Sequence, residues 1–181
     1  MGFGTGIVPE GWEFTLQNRG NNLSQNQQHP NALAPRKCLY HTIIPGILTR
    51  DVVGESATKG GEISSLQYEL IAPFGVMGGS MQPQGHVQVV VGLVDDKLDP
   101  QAALDRPRFC LSEATPQSNV QLEEGIPAET MDALARMGHT IAPVSGYARA
   151  VFGRGQIIRR EPDGTLWGSS DPRADGCAIG I

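Results

Sequence analysis

A glycine pair between an apolar segment and a proline constrains this chain more than any other feature. The segment covers residues 74–96, and its apolar beginning ends at Gly78 and Gly79. Two adjacent glycines let the backbone turn sharply and bring bare N–H groups close to a ligand. Pro83 follows, and proline is favoured at the first position of a helix because the amide that it lacks would have no partner there. The pattern predicts a strand, a tight turn and a buried helix that begins at Pro83.

Two interpretations of this turn remain open from the sequence. The unpaired amides and the positive dipole end of a helix N-terminus attract anionic groups, including an oxyanion that forms during a reaction. A tight strand-to-helix turn packed in a core would have the same residues and would need no ligand.

Composition limits the class of protein. A chain of 181 residues with 39% apolar residues can bury a real core, so we expect a single domain over residues 1–181. A net charge of −5 without a basic patch argues against nucleic acid as a partner. Without a run of about 18 apolar residues, no membrane span is expected. The start, MGFGTGIVPEGW, does not resemble a signal peptide, which favours the cytoplasm but leaves the compartment unknown.

Cysteine and histidine spacing predicts no metal site. The three cysteines, Cys38, Cys110 and Cys177, are far apart, so we expect reduced, mostly buried thiols. The four histidines lack zinc spacing, which leaves a metal-dependent hydrolase with little support. His86 lies on the predicted helix and is interpreted as a hydrogen-bonded core residue rather than a base. No cofactor is expected.

Strand and helix patterns alternate along the chain and predict a mixed α/β layered domain. Asp99 and Pro100 predict a capped helix that ends at Asp105, and residues 127–137 predict an amphipathic helix that Gly138 ends. Residues 18–35 are predicted as a long loop and residues 51–65 as a hairpin tip. Strands are predicted at residues 14–17, 41–49, 66–76, 120–122, 140–144, 149–152, 156–159 and 165–168.

Polar residues next to the predicted strands are candidates for a binding site. His41 and Thr42 open the strand at residues 41–49. They either satisfy local backbone groups or line a pocket that faces Gly78 and Gly79, because strand ends and helix N-termini meet at ligand sites of α/β proteins. A second polar cluster follows residues 14–17 and reads as a solvated loop; its members are Asn18, Arg19, Asn21 and Asn22.

Near the end of the chain, Arg173 lies between Asp171 and Asp175. The spacing predicts an ion pair that fixes a turn. A surface pair of this kind adds on the order of 0–1 kcal/mol to stability.

Seven segments, taken together, resemble the gamma-glutamyltranspeptidase family of N-terminal-nucleophile hydrolases, which cleave themselves into a large and a small subunit. The segments cover nearly the whole chain in the family's order: FGTGIVPEG, LQNRGNNLS, HPNALAPRK, HTIIPG, GVMGGSMQPQGHVQV, LDRPRF and GSSDPRADGCAIG. The resemblance is strongest to the cephalosporin-acylase-like branch. It implies that the chain is the C-terminal part of a small subunit and forms part of a four-layer αββα sandwich.

The resemblance also implies roles for individual residues. Gly78 and Gly79 match the pair whose amides stabilise the oxyanion of the tetrahedral intermediate. His41 and Thr42 fall where paired serines hold the α-carboxylate of the substrate. Arg19 and Asn22 fall where two acids grip its α-amino group; because Arg19 would repel an ammonium, an acyl group without one, such as glutaryl, is expected beside γ-glutamyl.

The nucleophile of this family is the threonine that begins the small subunit, and its own amino group serves as the base. That threonine precedes the segment with which this chain begins, so Thr5, inside FGTGIV, is not its counterpart. We therefore expect a small amide substrate, an upstream or large-subunit partner that supplies the nucleophile, and no activity of the chain alone. The alternative is a truncated, non-catalytic module that binds a partner or self-associates through uncovered strand edges and an apolar face.

Overall fold

The computed structural model describes residues 4–52, 67–111 and 118–180. Contacts divide the chain into two compact units, Met1–Ile44 and Pro45–Ile181, and each unit is described by itself. The single domain expected over residues 1–181 stays a prediction. Along the described segments, every helix is too short or too polar to cross a membrane.

Over residues 4–44 the first unit consists of turns and irregular segments with one 3-10 helix. Residues 14–17, predicted as a strand, are irregular, although Leu16 shares backbone hydrogen bonds with Thr5 and Ile7. A 3-10 helix, Arg19–Asn22, begins the predicted loop. The side chain of Asn31 donates to the carbonyl of Asn22 at 2.7 Å, and this bond joins the two ends of the loop that follows the 3-10 helix.

The second unit contains ten regular helices and strands within the described residues. In chain order they are β1 (Gly46–Val52), β2 (Gln67–Met77), α1 (Met81–Val94), α2 (Pro100–Asp105), β3 (Phe109–Leu111), β4 (Val120–Glu123), α3 (Ala128–Arg136), β5 (Ile141–Val144), β6 (Arg154–Arg160) and β7 (Leu166–Ser170). They form a four-stranded sheet in the order β1-β2-β6-β7 and a three-stranded sheet in the order β3-β4-β5. The predicted mixed α/β class is confirmed.

Strand β1 begins later than the sequence predicted. Residues 41–45 are irregular, and pairing starts at Gly46, opposite Phe74. Pro45 has no amide to donate, so the strand does not extend through it. Since β1 lies at an edge of its sheet, most of its residues are exposed rather than buried. The register of the pairing shifts once, between Leu48 and Thr49.

Helix α1 is buried along one stripe only. It begins at Met81, two residues before the predicted start, and places Pro83 in the first turn, where a missing amide costs nothing. The buried residues are Met81, Gly85, Val89 and Gly92. On the opposite face Val87 is 63% exposed. The prediction of a helix is confirmed, but the prediction that it is buried holds for one face.

The main core lies between one face of the four-stranded sheet and helices α1 and α2. Its buried side chains come from β2, β6 and both helices: Ala72, Val76, Val89, Ala103, Leu104 and Ile157. A smaller cluster joins Met81, Cys110 and Phe152. Both clusters fix the first turns of α1, because Met81 belongs to one and Val76, which lies against Gly85 of this helix, to the other.

Two glutamine side chains of α1 close the outer edge of strand β3. Gln88 accepts from the Phe109 amide and donates to the Phe109 carbonyl, both at 3.0 Å. Gln84 accepts from the Leu111 amide at 2.8 Å and donates to its carbonyl at 3.3 Å. Since residues four apart lie on the same face of a helix, the two side-chain amides act together as a substitute strand.

The remaining predictions for this unit are largely confirmed. Asp99 caps α2 by accepting from the Ala102 amide at 2.8 Å, and α3 ends before Gly138. The strand predicted at residues 149–152 is wrong, because these residues lie in a 3-10 helix, Gly146–Phe152. Its Arg149 donates to Glu123 at 2.7 Å. The predicted hairpin tip at residues 51–65 falls mostly outside the described residues.

Candidate functional site

The turn between β2 and α1 has the geometry that its glycines predicted. Gly78 has a φ of 155° and Gly79 a φ of 60°, both in the region that favours glycine. Their carbonyls accept from the amides of Met81 and Gln82, both at 3.1 Å. The two glycine amides take no part in these bonds. The turn therefore presents two N–H groups at the beginning of a helix.

A second glycine segment supports the turn from behind. A Cβ added at Gly78 would lie 3.1 Å from the Cα of Gly153. Gly153 has a φ of 74°, and a Cβ there would lie 2.5 Å from the carbonyl oxygen of Met77. Only glycine allows this approach of the two backbones, so Gly153 sets the position of the turn. No pattern in the sequence distinguishes Gly153 from the other glycines.

His86 ties the end of β2 to helix α1. Its Nε2 accepts from the Val76 amide at 3.0 Å, and its ring lies 5.1 Å from that of Phe74. Because Nε2 accepts, the neutral ring carries its proton on Nδ1. Burial lowers the pKa of His86 below its ordinary value. The expected hydrogen bond is confirmed, although His86 is half-buried rather than fully in the core.

We expect His86 to make the stability of the second unit depend on pH. Its pKa in the folded chain lies below the unfolded value of 6.5. The unfolded chain therefore binds the proton more readily, and the free energy of unfolding falls as the pH drops below that value. Urea unfolding between about pH 5 and about pH 7.5 measures this slope.

His86→Gln should flatten the slope, because the glutamine oxygen can accept from Val76 without titrating. His139→Gln, at an exposed residue after α3, serves as the matched control and should keep the slope. An unchanged slope in His86→Gln would contradict the assignment.

A buried ionic cluster fixes the backbone on both sides of Arg154. Arg108 donates through Nη1 to the Phe152 carbonyl at 3.2 Å and pairs through Nη2 with Asp171 at 2.8 Å. Asp171 also accepts from the Gly155 amide at 2.8 Å. These contacts hold residues 152–155, which back the glycine turn. The ionic cluster comprises Arg108, Glu123, Arg149, Asp171 and Arg173.

Glu123 is the acceptor at the centre of this cluster. Arg149 and Arg173 donate to its Oε1 through their Nε atoms, each at 2.7 Å, and the Arg108 amide donates to Oε2 at 2.8 Å. Burial would raise the pKa of Glu123, but the hydrogen bonds from Arg173 and Arg149 outweigh it and hold the pKa below the ordinary value.

The surface ion pair predicted near the end of the chain is instead buried. The side chains of Asp171 and Arg173 are both 0% exposed and lie 3.0 Å apart. Burial would raise the pKa of Asp171, yet the charge of Arg108 and the bonds around it lower the pKa below its usual range. The burial of this pair could not be predicted, because Arg108 and Glu123, which complete the cluster, are distant along the chain.

The other predicted site residues lie in the first unit. Arg19 and Asn22 are the first and last residues of the 3-10 helix, and both are half-buried. His41 is exposed and Thr42 half-buried, in the irregular segment before β1. The structure thus brings Arg19 and Asn22 together, and His41 and Thr42 together, as neighbours in the first unit. Gly78 and Gly79 belong to the second.

Within the described residues, no group of three or more histidine, cysteine or acidic side chains is placed to hold a metal ion. The three cysteines are free thiols, but Cys38 and Cys177 are exposed, so the expectation of mostly buried thiols is wrong for both. Burial raises the pKa of Cys110.

A family model described as Gamma-glutamyltranspeptidase matches residues 1–181. The chain belongs to the gamma-glutamyltranspeptidase family. This confirms the resemblance that the seven sequence segments carried.

Curated relatives of the family are longer than this chain. Glutathione hydrolase-like YwrD proenzyme of Bacillus subtilis (strain 168) is 29% identical over 181 residues, which are 99% of this chain and 31% of that protein. Acylase ACY 1 proenzyme of Pseudomonas sp. (strain SE83) is 34% identical over 178 residues, 98% of this chain and 26% of that protein. The chain spans about a third or less of their length.

Solved structures of the family share the fold. Cephalosporin acylase from Bacillus halodurans matches with a TM-score of 0.73 at 44% identity, over 98% of this chain and 29% of that one. Gamma-glutamyltranspeptidase from Pseudomonas nitroreducens, complexed with L-DON, matches with a TM-score of 0.70 at 23% identity, over 99% of this chain and 88% of that one. They confirm the predicted fold, a mixed α/β part of the N-terminal-nucleophile hydrolase sandwich.

Proposed function

We propose that this chain is the C-terminal portion of a gamma-glutamyltranspeptidase-like acylase. In the assembled enzyme an amide transfers its acyl group to water or to an amine through an acyl-threonine intermediate. The amides of Gly78 and Gly79 stabilise the oxyanion of that reaction. The observation that carries the proposal is the glycine turn itself, with both amides outside the hydrogen bonds of the turn and the backbone held from behind by Gly153.

The acyl group in this proposal is bound by residues of the first unit. His41 and Thr42 hold its distal carboxylate, and Arg19 and Asn22 occupy the position that faces an α-amino group in glutathione-cleaving relatives. A guanidinium there disfavours an ammonium. The proposed substrates are therefore γ-glutamyl amides and, better, glutaryl amides, which lack the ammonium.

A threonine from outside the 181 residues supplies the nucleophile in this proposal. Thr5 is unsuited, because its hydroxyl donates to the Leu16 carbonyl at 3.0 Å and accepts from the Ile7 amide at 3.1 Å. It also has four residues before it, so its amino group is not free to act as the base. The length of the curated relatives supports a contribution from further residues.

We expect the purified 181-residue chain to show negligible turnover of glutaryl-4-nitroanilide or γ-glutamyl-4-nitroanilide. Release of 4-nitroaniline, followed by its absorbance, measures the rate. Thr5→Ala is the matched control and should leave this background unchanged. Turnover that Thr5→Ala abolishes would overturn the proposal that the nucleophile lies elsewhere.

The second candidate, a non-catalytic module that self-associates, draws support from exposed apolar side chains on the four-stranded sheet. Ile47 is 69% exposed, Ile158 47% and Met77 44%. An uncovered patch of this kind favours association. Light scattering separates the candidates: a clean monomer that melts cooperatively counts against the module, and a defined oligomer of the chain alone supports it.

A further inference from the structure

A cleft of about 560 Å³ opens in the second unit, and its lining includes the residue that follows Gly153. Its lining includes Tyr147, Arg149, Arg154 and Asp175. We infer that Arg154 binds a carboxylate on the amine component of the substrate, the part that leaves when the amide is cleaved. This inference rests on the proposed function, and it names a specificity residue and a substrate class for the same site.

The sheet places Arg154 next to the oxyanion turn. In the antiparallel pairing of β2 with β6, Arg154 is opposite Met77, the residue before Gly78. Directly paired residues point to the same face of a sheet, with Cα atoms about 4.5–5.5 Å apart. The residue before Arg154 is Gly153, which packs against Gly78. A group bound at Arg154 therefore lies one strand away from the reacting carbonyl.

Among the arginines that line this cleft, Arg154 is the one without an acidic partner in the described residues. Arg149 pairs with Glu123 at 2.7 Å and with Glu124 at 3.2 Å. Arg173 is neutralised by Glu123 and Asp171. Arg154 is exposed and forms no ion pair with any residue of the described segments. A guanidinium with a free fork is suited to bidentate recognition of a carboxylate.

The backbone that carries Arg154 is fixed before any ligand arrives. Arg108 holds the Phe152 carbonyl on one side, and Asp171 holds the Gly155 amide on the other. Binding then requires only the ordering of one side chain, which keeps the entropic cost small. Tyr147, whose side chain is fully exposed at the same cleft, offers a flat apolar surface for the rest of the amine.

We assign the carboxylate to the amine because the proposed function already gives the acyl carboxylate its own binding residues. The proposed function gives the acyl carboxylate to His41 and Thr42 in the first unit. Arg154 belongs to the second unit, beside the glycines that hold the carbonyl between acyl group and amine. The unpaired charge at that turn is thus left for the amine side of the bond.

Binding of the leaving amine to the 181-residue chain tests the inference without any turnover. The probes are 5-amino-2-nitrobenzoate, which carries a carboxylate, and 4-nitroaniline, which does not. By isothermal titration the chain should bind the first at least about tenfold more tightly. Arg154→Gln should remove this preference, while Arg160→Gln, a surface arginine at the far end of β6, should keep it. Asp175→Asn should strengthen binding of the carboxylate, because it removes a like charge from the cleft.

Equal affinity for the two probes, a preference that survives in Arg154→Gln, or no binding of 5-amino-2-nitrobenzoate up to about 10 mM would overturn the inference. Arg154→Gln should fold normally because it breaks no ion pair among the described residues, and its unchanged melting temperature verifies this. Discrimination by the chain, combined with no acyl transfer by the assembled enzyme, would instead overturn the proposed function and leave the carboxylate site intact.

Discussion

Glu123→Gln is expected to destabilise the second unit by about 3–5 kcal/mol, because it leaves buried arginines without their central acceptor. Arg108 and Arg173 have side chains that are 2% and 0% exposed, so water does not replace the lost charge. The NH2 group of the glutamine would also face the N–H donors of the arginines that now bind the carboxylate. Urea unfolding followed by tryptophan fluorescence measures the change. A Trp12→Phe background leaves Trp167 to report on the second unit alone.

Glu124→Gln is the matched control for this variant. Glu124 is the next residue, its side chain is 49% exposed, and it pairs with Arg149 at 3.2 Å. We expect a loss of about 0.5 kcal/mol or less. A similar loss for both variants would contradict a special role of the buried cluster.

The same cluster should make the second unit sensitive to acid. The pKa values of Glu123 and Asp171 are lower in the folded chain than the ordinary values of 4.5 and 3.8. Their contribution to stability is therefore complete above those values and is lost as the pH falls through the folded pKa values. Glu123→Gln should reduce this dependence below about pH 4.5.

Gly153→Ala is expected to be the most damaging of the Gly→Ala substitutions. The added Cβ would lie 2.5 Å from the Met77 carbonyl oxygen and 2.7 Å from Val76. Backbone atoms cannot yield as a flexible side chain can, and overpacking costs about 1–3 kcal/mol in addition to about 1–2 kcal/mol for the left-handed φ of an alanine. Under the proposed function, the displaced turn would also lower the rate of acyl transfer more than Glu124→Gln does.

Gly164→Ala separates the two costs. Gly164 has a φ of 89°, and a Cβ there would meet nothing within 4 Å. This variant should lose only the conformational part, about 1–2 kcal/mol, in the same urea experiment. If Gly153→Ala costs no more than Gly164→Ala, the close contact between residue 153 and the end of β2 does not hold the turn.

Local signals in the sequence were enough to predict most elements of the second unit. Asp99 and Pro100 specify their helix by capping, and Gly138 ends another, so both boundaries agree with the structure to within two residues. Edge position was not predictable, because it depends on which strands pair. The strand predicted at residues 41–49 lies at the edge of its sheet, and its pairing starts only at Gly46.

The glycine turn was predictable because its residues are contiguous, but its supports were not. Gly153 lies 75 positions after Gly78 along the chain, and Arg108 and Asp171 reach residues 152–155 from two further segments. No helix or strand repeat in the sequence relates residues that are this far apart along the chain. The terminal Asp171 and Arg173 were recognised as a pair, yet only the fold reveals that they are buried with partners from α2 to β4.

The glutamine side chains on α1 bear on how this chain meets other chains. They occupy the outer edge of β3, and the opposite edge strand of that sheet, β5, contains Pro143, which has no amide to donate. Both borders of the three-stranded sheet are therefore poor templates for an added strand. If copies of the chain do associate, amyloid-like growth from this sheet is disfavoured, and the contact has to involve the larger sheet or its exposed side chains.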